Sequence, residues 1–380
     1  MTVPISLLEE LESALAVGTA EKRLQTLWRV TDLFLASAGR YSEEQIGLFD
    51  DVLTKLAAAI EAKARAKLAS RLASVADAPP KVIRSLAFDD DISVAEPVLT
   101  RAKRLDDADL IANANTKSQQ HLYAISQRQT LSEAVTDVLV HRGDQDVVHS
   151  VARNSGARFS NAGFRVLVQR AAGDDALATT VGTRRDIPRH HLLKLIEKAS
   201  AIVRERLAAD NPMASQAVEG VVTEVAGNIR SEARNASADF AVAKAEVEGL
   251  HRAGGLNEDA VYAFARERKF EHTTVALSLL CVVPIDVVER ALLDDGTEIV
   301  LILAKVAGFS WTTAKAILLL RAADRGMSAQ DLEQAHGIFT RLQVETARRV
   351  LHFYHARRKG SDQSTAMAGM TERAKSFGTA

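Results

Sequence analysis

Two groups of basic residues in this chain have types and spacings that could do chemistry. Arg101, Arg128 and Arg184 each stand ten positions after a residue suited to start a helix, Asp91, Ser118 and Asp174 respectively, and Arg153 falls one short of that place after Asp144. If those helices stack as repeats, the four side chains line one edge. There, planar guanidinium groups can grip phosphate or carboxylate through two hydrogen bonds each. The second group, Arg348, Arg349, Arg357, Arg358 and Lys359, lies with His352 and His355 beside Val350, Leu351, Phe353 and Tyr354. A helix of that composition is amphipathic and suits an acidic partner or, as a lesser alternative, an anionic membrane surface. Both groups also have a plainer role, since cations in a last helical turn compensate the helix dipole.

Metal and acid–base chemistry find less to work with. His190 and His191 are adjacent, so on a helix their side chains point about 100° apart and do not converge on one tetrahedral ion. Asp89, Asp90 and Asp91 fall in a turn before a helix, where carboxylates serve as N-caps. The chain has no HExxH and no CxxC, and its single cysteine, Cys281, sits in an apolar run and reads as a buried, inert thiol. Trp28 and Trp311 fall on apolar faces and read as core. No catalytic, cofactor-binding or metal-ligating residue is assigned, and no cofactor is expected.

The elements that must position these residues recur. An apolar residue, a helix-starting residue and a second apolar residue five positions after the first appear as Ala78-Pro79 with Ile83, Leu105-Asp106 with Leu110, Phe159-Ser160 with Phe164 and Ile187-Pro188 with Leu192. Leu131-Ser132 with Val135 fits with a slip of one. The pattern returns as Leu256-Asn257 with Val261, Val283-Pro284 with Val288, and Phe309-Ser310 with Ala314. The starts are 27, 26, 28 and 28 residues apart in the first series and 27 and 26 in the second. Asp, Ser and Asn accept from orphan N–H groups at a helix start, and Pro is tolerated in the first turn. Asp91, Ser118, Asp144 and Asp174 mark a second helix in the early units. Helices this short are marginal alone, so each unit must bury its apolar face on its neighbours.

The expected fold is therefore all-α, an α-solenoid of two-helix HEAT-like repeats of about 27 residues. Its parts are an N-terminal helical cap at 1–77, containing three helices with a capping box at Ser42–Gln45 and a long last helix ending near Asp77, and a first array at 78–197. An inserted helical hairpin at 198–250 carries an apolar stripe of Val218, Val221, Val222, Val225 and Ile229. A second array at 251–326 is followed by capping helices at 327–360, started at Ser328–Asp331 and Thr340–Gln343, and by a tail at 361–380 whose composition is that of a disordered segment.

Composition narrows the function classes. Lys and Arg total 48 against 49 Asp and Glu, a net charge of −1, so no global field recruits nucleic acid. Aromatics at 5% leave few stacking groups for bases. MTVPISLLEELESAL lacks the basic start of a secretory signal, and the most apolar stretches are interrupted by Pro284, Asp286, Lys305 and Lys315. A cytoplasmic location is expected.

The strings VPIDVVERALLDDGTEIVLILAKVAGFSWTTAKAILLL, DDDISVAEPVL and RLQVETARRVLHFY resemble the uncharacterised alphaproteobacterial family catalogued as domain of unknown function 2336. The resemblance spans roughly residues 70 to 355 and implies a shape similar to HEAT-like helical repeats, with no catalytic residue to carry over. The expected function is a non-catalytic interaction scaffold, or regulator, presenting a helical-repeat groove to a protein partner, with a homodimer through the hairpin as a further arrangement. The alternative is a helical-repeat enzyme or binder acting on a nucleic acid or phosphorylated ligand through the arginine ladder.

Overall fold

Every regular element among the described residues is a helix. The computed structural model describes residues 19–210, 215–293, 296–322 and 327–351, which divide between two compact units, Met1–Arg185 and Asp186–Ala380.

The first unit contains α1 (Ala20–Ala36), α2 (Glu43–Ala58), α3 (Ala62–Leu72), α4 (Pro80–Ala87), α5 (Ile92–Arg101), α6 (Asp107–Thr116), α7 (Gln119–Ser126), α8 (Glu133–Arg142), α9 (Gln145–Arg153), α10 (Asn161–Arg170) and α11 (Asp175–Gly182). Local chemistry fixes the starts. The side chains of Asp91, Asp106, Ser132, Asp144, Ser160 and Asp174 accept from the backbone N–H two or three residues on, and the capping box at Ser42 and Gln45 is complete. Pro79 has no cap of its own. Buried Asp50 on α2 supplies one, accepting from Lys81 N and Val82 N at 2.8 Å each. The expected long helix before Asp77 is instead two, α2 and α3, broken at 59–61.

Packing in this unit follows chain order with a stride of two. The chain α3, α5, α7, α9, α11 runs neighbour to neighbour, and α6, α8, α10 do the same alongside. Val82, Ile83, Val94, Val98, Leu122, Ile125, Val135, Leu139, Val147, Val151 and Leu167 are buried in the core of this unit. One linker is stitched to another: Leu131 N donates to Gly156 O at 3.1 Å and Arg158 N to Leu131 O at 3.0 Å. A side chain at Gly156 would overlap Gln129 O, so the close approach requires glycine.

The second unit contains α12 (Arg189–Asp210), α13 (Ser215–Asn235), α14 (Ala238–Arg252), α15 (Glu258–Arg266), α16 (Phe270–Cys281), α17 (Ile285–Leu293), α18 (Glu298–Val306), α19 (Trp311–Ala322) and α20 (Ala329–Arg341), with residues 344–351 also helical. The fifth predicted start, Ile187-Pro188, thus opens a 22-residue helix of this unit. The stretch around Arg230–Asp239, which reads as uniformly polar, hides a break: Ser237 caps Phe240 N and starts α14, which buries Phe240, Ala243 and Val247. Ser328 and Asp331 form a capping box as expected, whereas Thr340 lies inside α20 and bonds His336 O.

One row here keeps the stride of two, α14, α16, α18 and α20, but the other does not. The three helices at the predicted starts are α15, α17 and α19, and α15 packs on α19, which also touches α17. Glu258 explains the pairing. Its Oε1 accepts from Ser310 N at 2.7 Å, Ser310 Oγ at 2.6 Å and Thr313 Oγ1 at 2.7 Å, so a carboxylate of α15 caps α19.

Four helices of this unit end with a left-handed residue and a hydrogen bond that reaches back five positions. The donors and acceptors are Gly255 N to Leu250 O, Lys269 N to Phe264 O, Val283 N to Ser278 O and Phe309 N to Ala304 O, at 2.8–3.0 Å. Two of the left-handed residues are Gly254 and Gly308, the residue type this conformation favours. The other two are Arg268 (φ 59°) and Val282 (φ 54°), which hold strained backbone.

Candidate partner-binding surfaces

The arginine edge does not stand ready for a partner. Arg128 Nη1 donates to Leu99 O at 2.6 Å and Nη2 to Ala102 O at 2.8 Å, closing the end of α5. Arg184 donates to Ala152 O, Asn154 O and Ala157 O at 2.8–2.9 Å, closing α9, and its guanidinium lies over the Phe159 ring. Between them the tenth position is Asn154, and it does the same work: Nδ2 donates to Ser126 O at 2.9 Å and Arg128 O at 2.7 Å, closing α7. Arg101 and Arg153, the last residues of α5 and α9, are exposed. The four arginines are therefore not one site. Two satisfy orphan carbonyls of the preceding helix pair, and two point into solvent.

Sequence reasoning missed a parallel row. Asn113 Nδ2 donates to Ala87 O at 2.8 Å, Arg142 Nη1 to Ala114 O, and Arg170 Nη1 and Nη2 to Gly143 O at 2.7 Å and His141 O at 3.0 Å. Arg142 and Arg170 stand ten positions after Ser132 and Ser160, the same spacing that marks Arg128 and Arg184.

The other flagged residues are accounted for by their neighbours. Asp89 pairs with Arg65 at 2.6 Å, Asp90 with Lys117 at 2.5 Å, and Asp91 caps α5. His190 and His191 stack with centroids 4.1 Å apart, and among the described residues no cluster of three metal-type side chains occurs. Cys281 is buried, donates to Leu303 O at 3.3 Å, and has its thiol pushed up to about 12 by burial. The two tryptophans are half-buried rather than core. Trp28 lies under Lys67 and Arg71, and Trp311 stacks on His336 and Phe339. Their size and ring faces suit a core edge better than its centre. In the last helix, Arg348 pairs with Glu345 at 3.4 Å and Arg349 is exposed, while Arg357, Arg358 and Lys359 lie outside the described residues.

Two surfaces of the second unit remain. The first is the α12–α13 pair, tied together by Arg204 and Glu219 at 3.0 Å. On α13, Val221, Val225 and Ile229 are 61%, 51% and 44% exposed, while Ala226 is buried. The pair is rooted in a buried charge network. Arg189 of α12 donates to Glu271 of α16 at 2.8 Å and to Glu289 of α17, Arg234 of α13 approaches Glu289 at 3.6 Å, and Phe240 lies under the Arg189 guanidinium. Burial raises the Glu271 carboxyl to about 7 against the pull of Arg189. The second surface is a groove of about 380 Å³ between α15 and α19, lined by Tyr262, Arg266, Arg268, Lys315 and Leu319 among others.

The family described as an uncharacterised protein conserved in bacteria (DUF2336) matches residues 94–352. The chain belongs to that family. The DUF2336 match covers the charge network, both surfaces and the carbonyl-closing rows from Asn113 onward. No curated protein and no solved structure matches the chain. No described helix is long and apolar enough to cross a membrane.

Proposed function

We propose that this DUF2336 chain is a non-catalytic interaction scaffold, built on stacked two-helix repeats of the HEAT-like solenoid type, that pairs with a second copy through the α12–α13 hairpin. The observation that carries the reading is the outward stripe Val221, Val225, Ile229. Five of the large apolar side chains exposed in the described residues, these three with Val203 and Leu207, fall on this one hairpin. Such a concentration marks an interaction surface rather than scattered exposure.

A second copy fits it by symmetry. The three residues are spaced evenly about Val225, so antiparallel twofold pairing sets Val225 on its counterpart and Val221 on Ile229 of the second copy. Covering the exposed part of each aliphatic side chain is worth about 1 kcal/mol. Over the six side chains of the pair that is about 6 kcal/mol, within the range of the cost of association, so these residues alone give a weak, concentration-dependent dimer.

Repeat stacking supports the rigid frame: each row of side-chain bonds joins one helix pair to the next, as nearest-neighbour coupling in a solenoid would. A reading in which the arginine ladder grips a phosphorylated ligand or nucleic acid is less favoured, because Arg128 and Arg184 already serve backbone carbonyls. The test is light scattering of the full chain over a concentration series. Wild type should dimerise and Val225→Glu should be monomeric with unchanged helicity. A wild type monomeric throughout, or a Val225→Glu dimer, would overturn the hairpin pairing.

A further inference from the structure

The groove between α15 and α19 has features that the scaffold reading leaves unused. Of its nine lining residues, three are cationic (Arg266, Arg268, Lys315) and none is acidic. Its floor and walls include Tyr262, Ala316 and Leu319, the last of them exposed. The groove exists because Glu258 draws α19 onto α15 out of chain order. It is therefore built by the fold's departure from regular stacking.

Arg268 supplies a second, independent observation. It occupies the left-handed position that ends α15, where the same unit uses glycine at Gly254 and Gly308. Compensation of the helix dipole needs a cation near the last turn, and Arg266 already stands there. It does not need a cation in strained backbone. A residue kept at a conformational cost beside a groove it lines points to a use for its side chain.

We propose that this groove docks an acidic peptide segment of another protein, with one apolar side chain of that segment seated against Tyr262 and Leu319 and its carboxylates on Arg266, Arg268 and Lys315. This rests on the scaffold reading only in taking a protein as occupant. A small phosphorylated ligand fits less well. Phosphates favour free backbone N–H groups at a helix start, and at α19 the Ser310 N–H is already held by Glu258. Four of the nine lining residues, Ala265, Ala316, Leu319 and Leu320, would give a phosphate nothing.

The experiment uses the full chain and fluorescence anisotropy with three labelled probes: an octapeptide of glutamates with two leucines, an all-glutamate octapeptide, and a lysine–leucine octapeptide. The glutamate–leucine probe should bind, and the all-glutamate probe about tenfold more weakly. The lysine probe should not bind. Lys315→Glu, and separately Leu319→Ser at its exposed site, should each weaken the glutamate–leucine probe about tenfold with circular dichroism unchanged. Arg268→Gly should raise Tm and weaken binding together, a combination that a purely structural arginine would not give. Val225→Glu, which tests the hairpin, should leave probe affinity unchanged. Equal binding of both acidic probes, displacement by inorganic phosphate, indifference to Lys315→Glu and Leu319→Ser, or a lowered Tm for Arg268→Gly would each overturn the proposal.

Discussion

The two units solve the same problem, what to do with helix ends, in different ways. In the first, side chains from each helix pair close the carbonyls of the pair before it: Arg128, Asn154 and Arg184 in one row, Asn113, Arg142 and Arg170 in the other. In the second, four helices end on left-handed residues that close their own carbonyls, and carboxylates do much of the long-range polar work. Glu258 caps α19, while Glu271 and Glu289 hold Arg189. Order follows from this. Bonds from each pair to its predecessor enforce stacking in chain sequence, whereas self-closing ends leave α19 free to pack on α15.

The largest effect that would test the contrast is at the charge network. Glu289 is 1% exposed, and Glu289→Ala removes the carboxylate that Arg189 shares with Arg234, leaving the buried Arg189 only Glu271. The expected loss is about 3–5 kcal/mol, with hydrogen exchange accelerated in residues 186–293 and unchanged in 19–185. Exchange that rose equally in both would mean that the two units open as one.

Next in size is Arg184→Ala, which removes a donor from Ala152 O, Asn154 O and Ala157 O at and just after the α9 end. A loss of about 2–3 kcal/mol is expected in the first unit, against a change within about 0.5 kcal/mol for the exposed Arg153→Ala. Chemical denaturation reads both. Equal effects would mean that the carbonyl bonds contribute little.

Two carboxyls, one in each unit, should answer pH in opposite senses. Burial holds the Glu271 carboxyl at about 7, above its ordinary value of 4.5, so the folded state favours its protonated form. Its contribution is complete below pH 4.5 and is lost as pH rises through 7, a change of about 1–3 kcal/mol. Asp174 is shifted the other way, to about 2, chiefly by the Leu177 N–H and then by His149. Its contribution is present above pH 4 and is lost as pH falls toward 2. Glu271→Gln should flatten the second unit's stability between pH 4.5 and 7 and leave the first unit's acid limb in place, as followed by pH-dependent hydrogen exchange.

The smallest effect concerns the strained ends. Val282 is 86% exposed and β-branched in left-handed backbone, so Val282→Gly should stabilise the second unit by about 1 kcal/mol. A lower Tm would show that the side chain has contacts worth more than the strain.

What the sequence disclosed tracks the range of the interaction. Starts such as Asp106, Ser160 and Asn257 were legible because their side chains reach an N–H three residues away. The ten-residue spacing of Arg128 and Arg184 was visible, but its purpose was not, since the accepting carbonyls lie 26–32 positions back. The α15–α19 groove was hidden for two reasons. Glu258 acts 52 positions away on Ser310, and Arg268 gives no sign of a left-handed turn when glycine is the usual marker.

The closing rows of the first unit also have a direction. In these two rows the carbonyls of each helix pair are closed by its successor, so a ribosome delivering this chain closes them only after the next pair has emerged. Removing helices from the front leaves donors facing water, where they are readily hydrated. Removing them from the back leaves carbonyls bare beneath apolar surface. Truncation should therefore be tolerated from the amino side far better than from the carboxyl side, and a nascent chain stalled mid-array keeps one unfinished edge, always at its newest end.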